Sequence, residues 1–120
     1  MRKIETQMNA AVHSNKNWSS GNTSVQFDAD DIVSRVYLHG NHIATVSDDS
    51  VQLFDGGWQS NTTKSRLNAI CDEFARAGER VFQRNWTWFV RQFDDATGEF
   101  VESPFYSGLN LGEGALALTA

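Results

Sequence analysis

Residues 32–47, with the sequence IVSRVYLHGNHIATVS, decide the fold because they predict a β-hairpin. Apolar and polar side chains alternate on both sides of Gly40-Asn41, and this dipeptide suits a two-residue turn between paired strands. We therefore expect a strand over 32–39, a turn at Gly40-Asn41 and a return strand over 42–47. A sheet built outward from this hairpin would be antiparallel.

The two faces of this hairpin differ in character. On the face expected to be core, the predicted cross-strand pairs are Leu38 with Ile43 and Val36 with Thr45. On the other face, the predicted pairs are His39 with His42, Tyr37 with Ala44 and Arg35 with Val46. Imidazole, phenol and guanidinium groups suit an exposed or ligand-binding surface, so the second face is a candidate site.

Two amphipathic helices are predicted on either side of the hairpin region. A stripe of apolar residues predicts the first helix over 1–13, and its members are Ile4, Met8, Ala11 and Val12. A second stripe predicts a helix over 62–77, and its members are Leu67, Ile70, Cys71, Phe74 and Ala75. Thr62 or Asn61 is the expected N-cap of the second helix, and Gly78 is expected just after its end.

Four further segments read as strands. Short alternating runs predict strands over 23–27 and 51–54, and Glu99 begins another over 99–101, which Pro104 would end. Residues 80–93 carry apolar side chains on both faces, which predicts one long strand that is buried on both sides or crosses a bend.

These elements predict a mainly β fold. We expect a small, strongly bent antiparallel barrel of five strands, with one helix before it and a second helix inserted between strands 3 and 4. Residues 1–108 would form a single domain. Residues 109–120 are small and weakly patterned, and we expect them to be a mobile tail.

Charge and cysteine content narrow the function classes. The formal net charge of −5 argues against a protein that coats nucleic acid through bulk charge, so any such site must be a local patch. The aspartates cluster at turns, where they bond their own backbone, and no metal site is expected. Cys71, the one cysteine, falls on a helical stripe and is expected to be buried and inert.

Location follows from what the sequence lacks. A single cysteine permits no internal disulfide, which favours a reducing compartment. No apolar run approaches the length of a membrane span, and the basic start is not followed by the apolar run of a signal peptide. We expect a cytoplasmic protein without a membrane partner.

The start of the second helix, Thr62-Thr63-Lys64-Ser65-Arg66, is the first candidate site. The first turn of a helix has free N–H groups and a partial positive charge, which repels cations. Lys64 and Arg66 break that preference, and with the hydroxyls of Thr62 and Thr63 they would form a phosphate cradle. The alternative is that both cations point into water, where surface charges cost little.

The hairpin is the second candidate site. Its members are Tyr37, His39, Asn41 and His42. Bases stack on aromatic and imidazole rings, and an amide can read a base edge. The alternative is a solvated hairpin whose histidines only pair across the strands. A zinc site would need His13 and Cys71 as further ligands, and both fall on helices in poor positions.

Catalytic motifs are missing from the sequence. It contains no Gly-x-Ser-x-Gly, no phosphate-binding loop and no spaced Cys/His pair, so we expect neither an enzyme nor a cofactor. A small hydrolase or nuclease with a site assembled from distant residues is the rival interpretation.

Three phrases carry a resemblance to a known family. They are Met1–Met8, Tyr37–Ala44, and Gly57-Trp58 together with Thr62–Ala69. With matches from residue 1 to about 90, the chain resembles a family of small uncharacterised proteins from cyanophages and marine metagenomes. The resemblance implies an Sm-like fold, in which an N-terminal helix precedes a bent five-stranded barrel that assembles into a ring. It also implies RNA or DNA binding.

The chain departs from the Sm pattern at its RNA site. Asp48 or Asp49 could supply the acid that Sm proteins use, but Ser50 and Gln52 stand where an asparagine is required. The Arg-Gly pair expected before the last strand is absent. The fold therefore carries over better than the RNA site does.

We expect an Sm-like phage protein in the cytoplasm of the infected host. It would form a homo-oligomeric ring, from pentamer to heptamer, and bind single-stranded nucleic acid, with RNA as the first choice. The alternative is a phage accessory module that docks on a host protein, which the acidic surface and free strand edges favour.

Overall fold

The computed structural model describes residues 1–111, which form two helices and nine strands. In chain order these are α1 (Lys3–His13), β1 (Trp18–Ser20), β2 (Thr23–Asp28), β3 (Val33–Leu38), β4 (Asn41–Val46), β5 (Val51–Leu53), α2 (Asn61–Phe74), β6 (Arg80–Arg84), β7 (Thr87–Asp94), β8 (Glu99–Pro104) and β9 (Leu109–Leu111). The predicted mainly β class, with a helix at the start and another between two strands, is confirmed.

The strands form two antiparallel sheets. One has six strands in the order β1-β2-β3-β4-β5-β9, and the other has three in the order β6-β7-β8. Within residues 1–111 neither sheet closes on itself, so the predicted five-stranded barrel is not seen. The six-stranded sheet keeps β1 and β9 as its two edges.

The core lies where the two helices pack against one face of the six-stranded sheet. Most of both predicted stripes is buried, with Met8 from α1 and Leu67 and Ile70 from α2 fully enclosed, but α2 ends at Phe74 and not at the predicted residue 77. Val36 and Leu53 meet them from the sheet and are fully buried as well. Each such side chain contributes about 1.5–3 kcal/mol by leaving water. Cys71 is buried in this core, as the sequence predicted.

The central hairpin turns one residue earlier than predicted. The turn is His39-Gly40, both with positive φ (52° and 77°), and Leu38 pairs with Asn41. Histidine and glycine both tolerate this left-handed region, which the tight turn requires at both positions. The predicted pairing of His39 with His42 is therefore wrong, because His42 lies opposite Tyr37.

A β-bulge also changes which residues of β4 face the core. The register shifts between Val36 and Tyr37, so Ile43 and Ala44 are both buried although they are adjacent. Thr45, predicted to be core, faces the other side instead. One extra residue in β4 accounts for the change, as bulges do.

The long strand predicted over 80–93 is wrong, because the chain reverses within it. β6 and β7 are joined by a two-residue turn at Asn85-Trp86, with φ of 51° and 65°. Trp86 is 93% exposed at the tip, whereas Trp88 is buried. The reversal explains why this segment is apolar on both faces, since each short strand has its own buried side.

The segment predicted to be a mobile tail begins with a strand. Leu109–Leu111 form β9, which pairs with β5, and Leu109 and Leu111 are buried. The tail prediction is wrong for these three residues, and its remainder, 112–120, lies outside the described residues. No helix in the described part, residues 1–111, is long and apolar enough to span a membrane.

Candidate nucleic-acid interface

The first turn of α2 is capped by its own chain. Ser60 is the N-cap rather than Thr62 or Asn61, and its hydroxyl accepts a hydrogen bond from the Thr63 amide at 3.1 Å. The Lys64 amide donates to the Ser60 carbonyl at 3.0 Å, and the buried Thr63 hydroxyl lies 2.9 Å from that of Ser60. The amides of Thr63 and Lys64, which a phosphate in the predicted cradle would need, are thus already bonded to Ser60. Thr62 is half-buried beside them.

Arg66 points into the protein, so its prediction as a phosphate ligand is wrong. The side chain is 3% exposed, and it donates to Glu5 at 2.8 Å, to Thr23 at 3.0 Å and to Asn22 at 3.3 Å. Glu5 is 2% exposed on α1 and also accepts from the Ser65 hydroxyl at 2.6 Å. The guanidinium therefore joins α1, α2 and the start of β2, and it is enclosed away from solvent.

The carboxylate of Glu5 is held in its charged form. Burial alone raises the pKa of a carboxyl, but the hydrogen bonds from Ser65, the Arg2 amide and Arg66, with the charge of Arg66, outweigh it. The pKa of Glu5 therefore lies below its ordinary value. The pair is structural, and it leaves the half-buried Lys64 as the remaining cation of the predicted cradle.

Lys64 points the opposite way, toward the second sheet. Its Nζ donates to Gln83 Oε1 on β6 at 3.3 Å. Two residues apart on a helix, Lys64 and Arg66 project to opposite sides. The predicted cradle is not assembled, but Lys64 connects the start of α2 with the β6–β7 hairpin.

Members of the two predicted sites do meet around one small cavity, here called the tip pocket. Its volume is about 130 Å³, and its polar and aromatic lining is His39, Asn41, Asp55, Trp58, Ser60 and Thr63. Leu38 and Ile43 also line it. Trp58 forms part of the lining, although its side chain is 76% exposed. The hairpin turn and the start of α2, which the sequence singled out separately, are therefore one region of the molecule.

A glycine turn brings these parts together. Gly56 has φ of +69°, and a Cβ there would lie 3.1 Å from Ile43 Cγ2 and 3.2 Å from Asn41 Cβ. Only glycine suits both the left-handed backbone and the close approach. Asp55 fixes the same turn, since its carboxylate accepts from the Gly57 amide at 2.8 Å.

Tyr37 and His42 lie elsewhere, on the outer face of the six-stranded sheet. The Tyr37 and His42 ring centroids are 5.6 Å apart, and Phe54 lies 4.4 Å from His42. His42 Nε2 is 2.9 Å from the Ala44 carbonyl and 2.8 Å from the Thr45 hydroxyl. The four hairpin residues are thus divided, with His39 and Asn41 at the tip pocket and the other two in a half-buried aromatic cluster.

A third surface lies on the outer side of the three-stranded sheet. The β6–β7 register puts Arg80 opposite Arg91, Phe82 opposite Phe89 and Arg84 opposite Thr87. These residues alternate with the inward-facing Val81, Trp88 and Val90, so they share one face. We call Arg80, Phe82, Arg84, Phe89 and Arg91 the Arg/Phe face.

Rings and guanidinium groups stack on the Arg/Phe face. The Phe82 and Phe89 rings are stacked with centroids 5.7 Å apart, and the Arg84 guanidinium lies 5.2 Å and 5.7 Å from their centroids. The Arg91 guanidinium lies 4.2 Å from the centroid of the Phe100 ring. Gly78 packs against the same ring, so closely that a Cβ at this position would clash with it. The open part of the face is therefore the Phe82–Phe89 pair and the arginines around it.

The electrostatic balance of this face is positive. Arg84 pairs with Glu102 at 3.2 Å, in an exposed pair that contributes little to stability. Arg80 and Arg91 make no ion pair with any of residues 1–111, and the buried Nε of Arg91 finds no acceptor there. Three guanidinium groups thus face one carboxylate, on a chain whose net charge is −5. A local basic patch on an acidic chain is what the charge analysis required of a nucleic-acid site.

No metal centre emerges from the described part of the chain. Among residues 1–111 no three His, Cys, Asp or Glu side chains are grouped so as to hold an ion. Two of the clustered aspartates bond their own turns, as predicted: Asp28 Oδ1 accepts from the amides of Asp30 and Asp31, and Asp94 Oδ1 accepts from the Ala96 amide.

Comparison with known proteins identifies a phage family. Residues 1–112 match the family described as Kyanoviridae Gp96 protein. The chain belongs to this family. A cyanophage origin, which the resemblance implied, is thereby confirmed. No curated protein and no solved structure matches the chain. The family description names no enzymatic activity.

The sequence of this Gp96-family protein did contain a signal for the Arg/Phe face. Arginine and phenylalanine alternate with period two along Arg80, Phe82 and Arg84, and again from Phe89 through Arg91 to Phe93. In a single long strand, the residues at 80, 82 and 84 would face the opposite side of the sheet from those at 89, 91 and 93. The turn at Asn85-Trp86 brings them side by side on one face.

Proposed function

We propose that this Gp96-family protein binds single-stranded nucleic acid on the Arg/Phe face, with RNA as the first choice. The observation that carries the proposal is the stacked Phe82–Phe89 pair surrounded by Arg80, Arg84 and Arg91 on a strand face. Proteins that bind single strands combine aromatic platforms for the bases with cations for the backbone.

The geometry suits bases and phosphates at the same time. Two adjacent half-buried rings offer apolar planes, and base stacking contributes about 1–3 kcal/mol per base. Guanidinium forks bind phosphate oxygens in a bidentate manner. Arg84 can exchange its exposed partner Glu102 for a phosphate at little cost, because surface pairs are weak.

The test measures binding of labelled single-stranded RNA and DNA by fluorescence anisotropy over a range of salt concentrations. R80A/R91A should weaken binding and reduce the slope of log K against log salt by about 1.4, since each phosphate contact contributes about 0.7 on single strands. F82A/F89A should weaken binding while leaving the slope unchanged. K16A/R35A, which removes the same charge away from this face, is the matched control.

A protein-docking module is the second candidate, favoured by Trp86, which is 93% exposed at the β6–β7 tip. Tryptophan and arginine are also the residues that anchor protein interfaces. If the wild type binds no oligonucleotide even at low salt, nucleic-acid binding is excluded and the docking module becomes the better account.

We further propose that the protein is related to Sm-like proteins and that it forms a homo-oligomeric ring. We propose that it binds nucleic acid in the cytoplasm of the infected host. The feature in favour is the antiparallel run β1 to β5 behind an N-terminal helix. The exposed edge β1 could pair with a neighbouring subunit. Native mass spectrometry tests the ring directly, and a monomeric mass at micromolar concentration would exclude it.

A further inference from the structure

We infer that the tip pocket holds one unstacked base of the bound strand and prefers a base with an exocyclic amino group. The inference rests on the proposed function, because it assigns a second contact to the same single-stranded ligand. Its basis is the cavity between the hairpin turn and the start of α2, together with the carboxylate of Asp55 and the exposed ring of Trp58.

The size of the tip pocket suits a single ring system. At about 130 Å³ it is well below the roughly 300 Å³ at which pockets for drug-sized ligands begin. Leu38 and Ile43 supply an apolar lining for the flat part of a base. Trp58 is 76% exposed although a buried indole is far more favourable, and every base offers a face on which it can stack.

The charge of the lining decides between a base and a phosphate. Asp55 is the charged group among the lining residues, and it repels phosphate. Its Oδ1 accepts from the Gly57 amide at 2.8 Å and its Oδ2 from Gln59 at 3.3 Å, and each oxygen can accept one further hydrogen bond. A carboxylate accepts from the amino group of cytosine, as in the usual acidic readout of that base.

The same reasoning excludes uracil and thymine as preferred bases. Their edges carry one imino donor between carbonyl oxygens, and a carbonyl beside the Asp55 carboxylate is unfavourable. The pocket therefore discriminates against the uridine-rich strands that the Sm resemblance would suggest.

Lys64 and Gln83 offer a route from the pocket to the Arg/Phe face around the edge strand β6. Thr63 lines the pocket, and the next residue, Lys64, reaches Gln83 on the edge strand β6. Gln83 alternates with Phe82 and Arg84 and therefore points to the other face of β6, so a backbone that leaves the Arg/Phe face passes Lys64 only after rounding this edge strand. One strand can thus occupy both places.

The experiment compares homopolymers of equal length, oligo-dC and oligo-dT, by fluorescence anisotropy with the full chain. The wild type should bind oligo-dC about tenfold more tightly, the effect of one hydrogen bond to a charged group. D55N keeps an oxygen for the Gly57 amide but adds a donor, and it should reduce the ratio to about one. D48N, the same change at an exposed turn elsewhere, should leave the ratio unchanged.

A second variant probes the stack. W58A should weaken oligo-dC binding about fivefold or more without altering the salt slope, and the exposed position of Trp58 makes it harmless to folding. Equal binding of both homopolymers by the wild type, or a D55N ratio equal to the wild-type ratio, overturns the pocket inference. If R80A/R91A still weakens binding in that case, the proposed function stands. If the wild type binds neither homopolymer, the pocket inference fails, and if it also binds no single-stranded RNA, the proposed function fails with it.

Discussion

Replacing Arg66 by methionine should destabilise the protein more than any substitution on its surface. The guanidinium is enclosed between α1, α2 and β2, and its three hydrogen-bond acceptors lie within 3.3 Å. R66M fills a similar volume but leaves the charged Glu5, 2% exposed, with only Ser65 and the Arg2 amide as donors. An uncompensated buried charge is among the costliest defects in a fold.

The expected loss is about 3–5 kcal/mol of unfolding free energy, the usual effect of removing one partner of a buried ion pair. A domain of this size has roughly 5–15 kcal/mol in total, so R66M loses a large part of it. E5Q/R66M removes both charges together and should recover part of the loss. The coupling energy between the two sites should fall between about 0.5 and 3 kcal/mol.

Urea unfolding followed by far-UV circular dichroism measures all four members of the cycle, with K64M as the matched control on the same helix. K64M should change the unfolding free energy by less than about 0.5 kcal/mol. An R66M loss below about 1 kcal/mol, or a double variant as unstable as the sum of the singles, would refute the reasoning.

The pH dependence of the unfolding free energy tests the same ion pair in a second way. Since the pKa of Glu5 is lowered by folding, its contribution is complete above about pH 4.3 and is lost as pH falls through the folded pKa.

Three further outcomes follow from the structure. Burial, aided by the charge of Arg35, lowers the pKa of His42 despite the hydrogen bond of its ring to a carbonyl. The unfolding free energy should therefore fall as the pH drops below about 6.5, where the unfolded histidine takes up a proton more readily than the folded one. H42Q should reduce this pH dependence in urea unfolding measured at several pH values. Burial raises the pKa of Cys71 to about 12, so a thiol reagent should label it only after urea unfolds the chain; rapid labelling of native protein would contradict its enclosure. A chain ended after Gly108 should be less stable than one ended after Leu111 by roughly 3 kcal/mol or more of unfolding free energy, because it lacks the buried Leu109 and Leu111.

The parts of the fold that obey a local rule were predictable. The apolar stripes of both helices and the two-residue hairpin between β3 and β4 follow from periodicity and turn chemistry. The hairpin was placed one residue late because His39, rather than Asn41, adopts the left-handed conformation. The turn at Asn85-Trp86 was missed because tryptophan at positive φ has no sequence signal.

The fate of Arg66 shows a different limit. Arg66 lies three residues after the buried Thr63 and four before the buried Ile70, so its own helix places it on the inner face. Whether a buried arginine is tolerable depends on its partner, and Glu5 is 61 residues away in sequence. A single sequence cannot show that pairing. The tip pocket, by contrast, joins two segments that were each distinctive locally, which is why its members were partly found.

The pairing of β9 with β5 has a consequence for the order in which the molecule is made. Residues 51–53 and 109–111 are neighbours in the finished sheet, with all of α2 and the three-stranded sheet between them in the chain. During synthesis, the strand at 51–53 leaves the ribosome long before its partner exists, so its hydrogen-bonding groups stay open to any other extended chain. Nascent copies crowded on one messenger are therefore most exposed to mispairing at this strand until residue 111 has emerged.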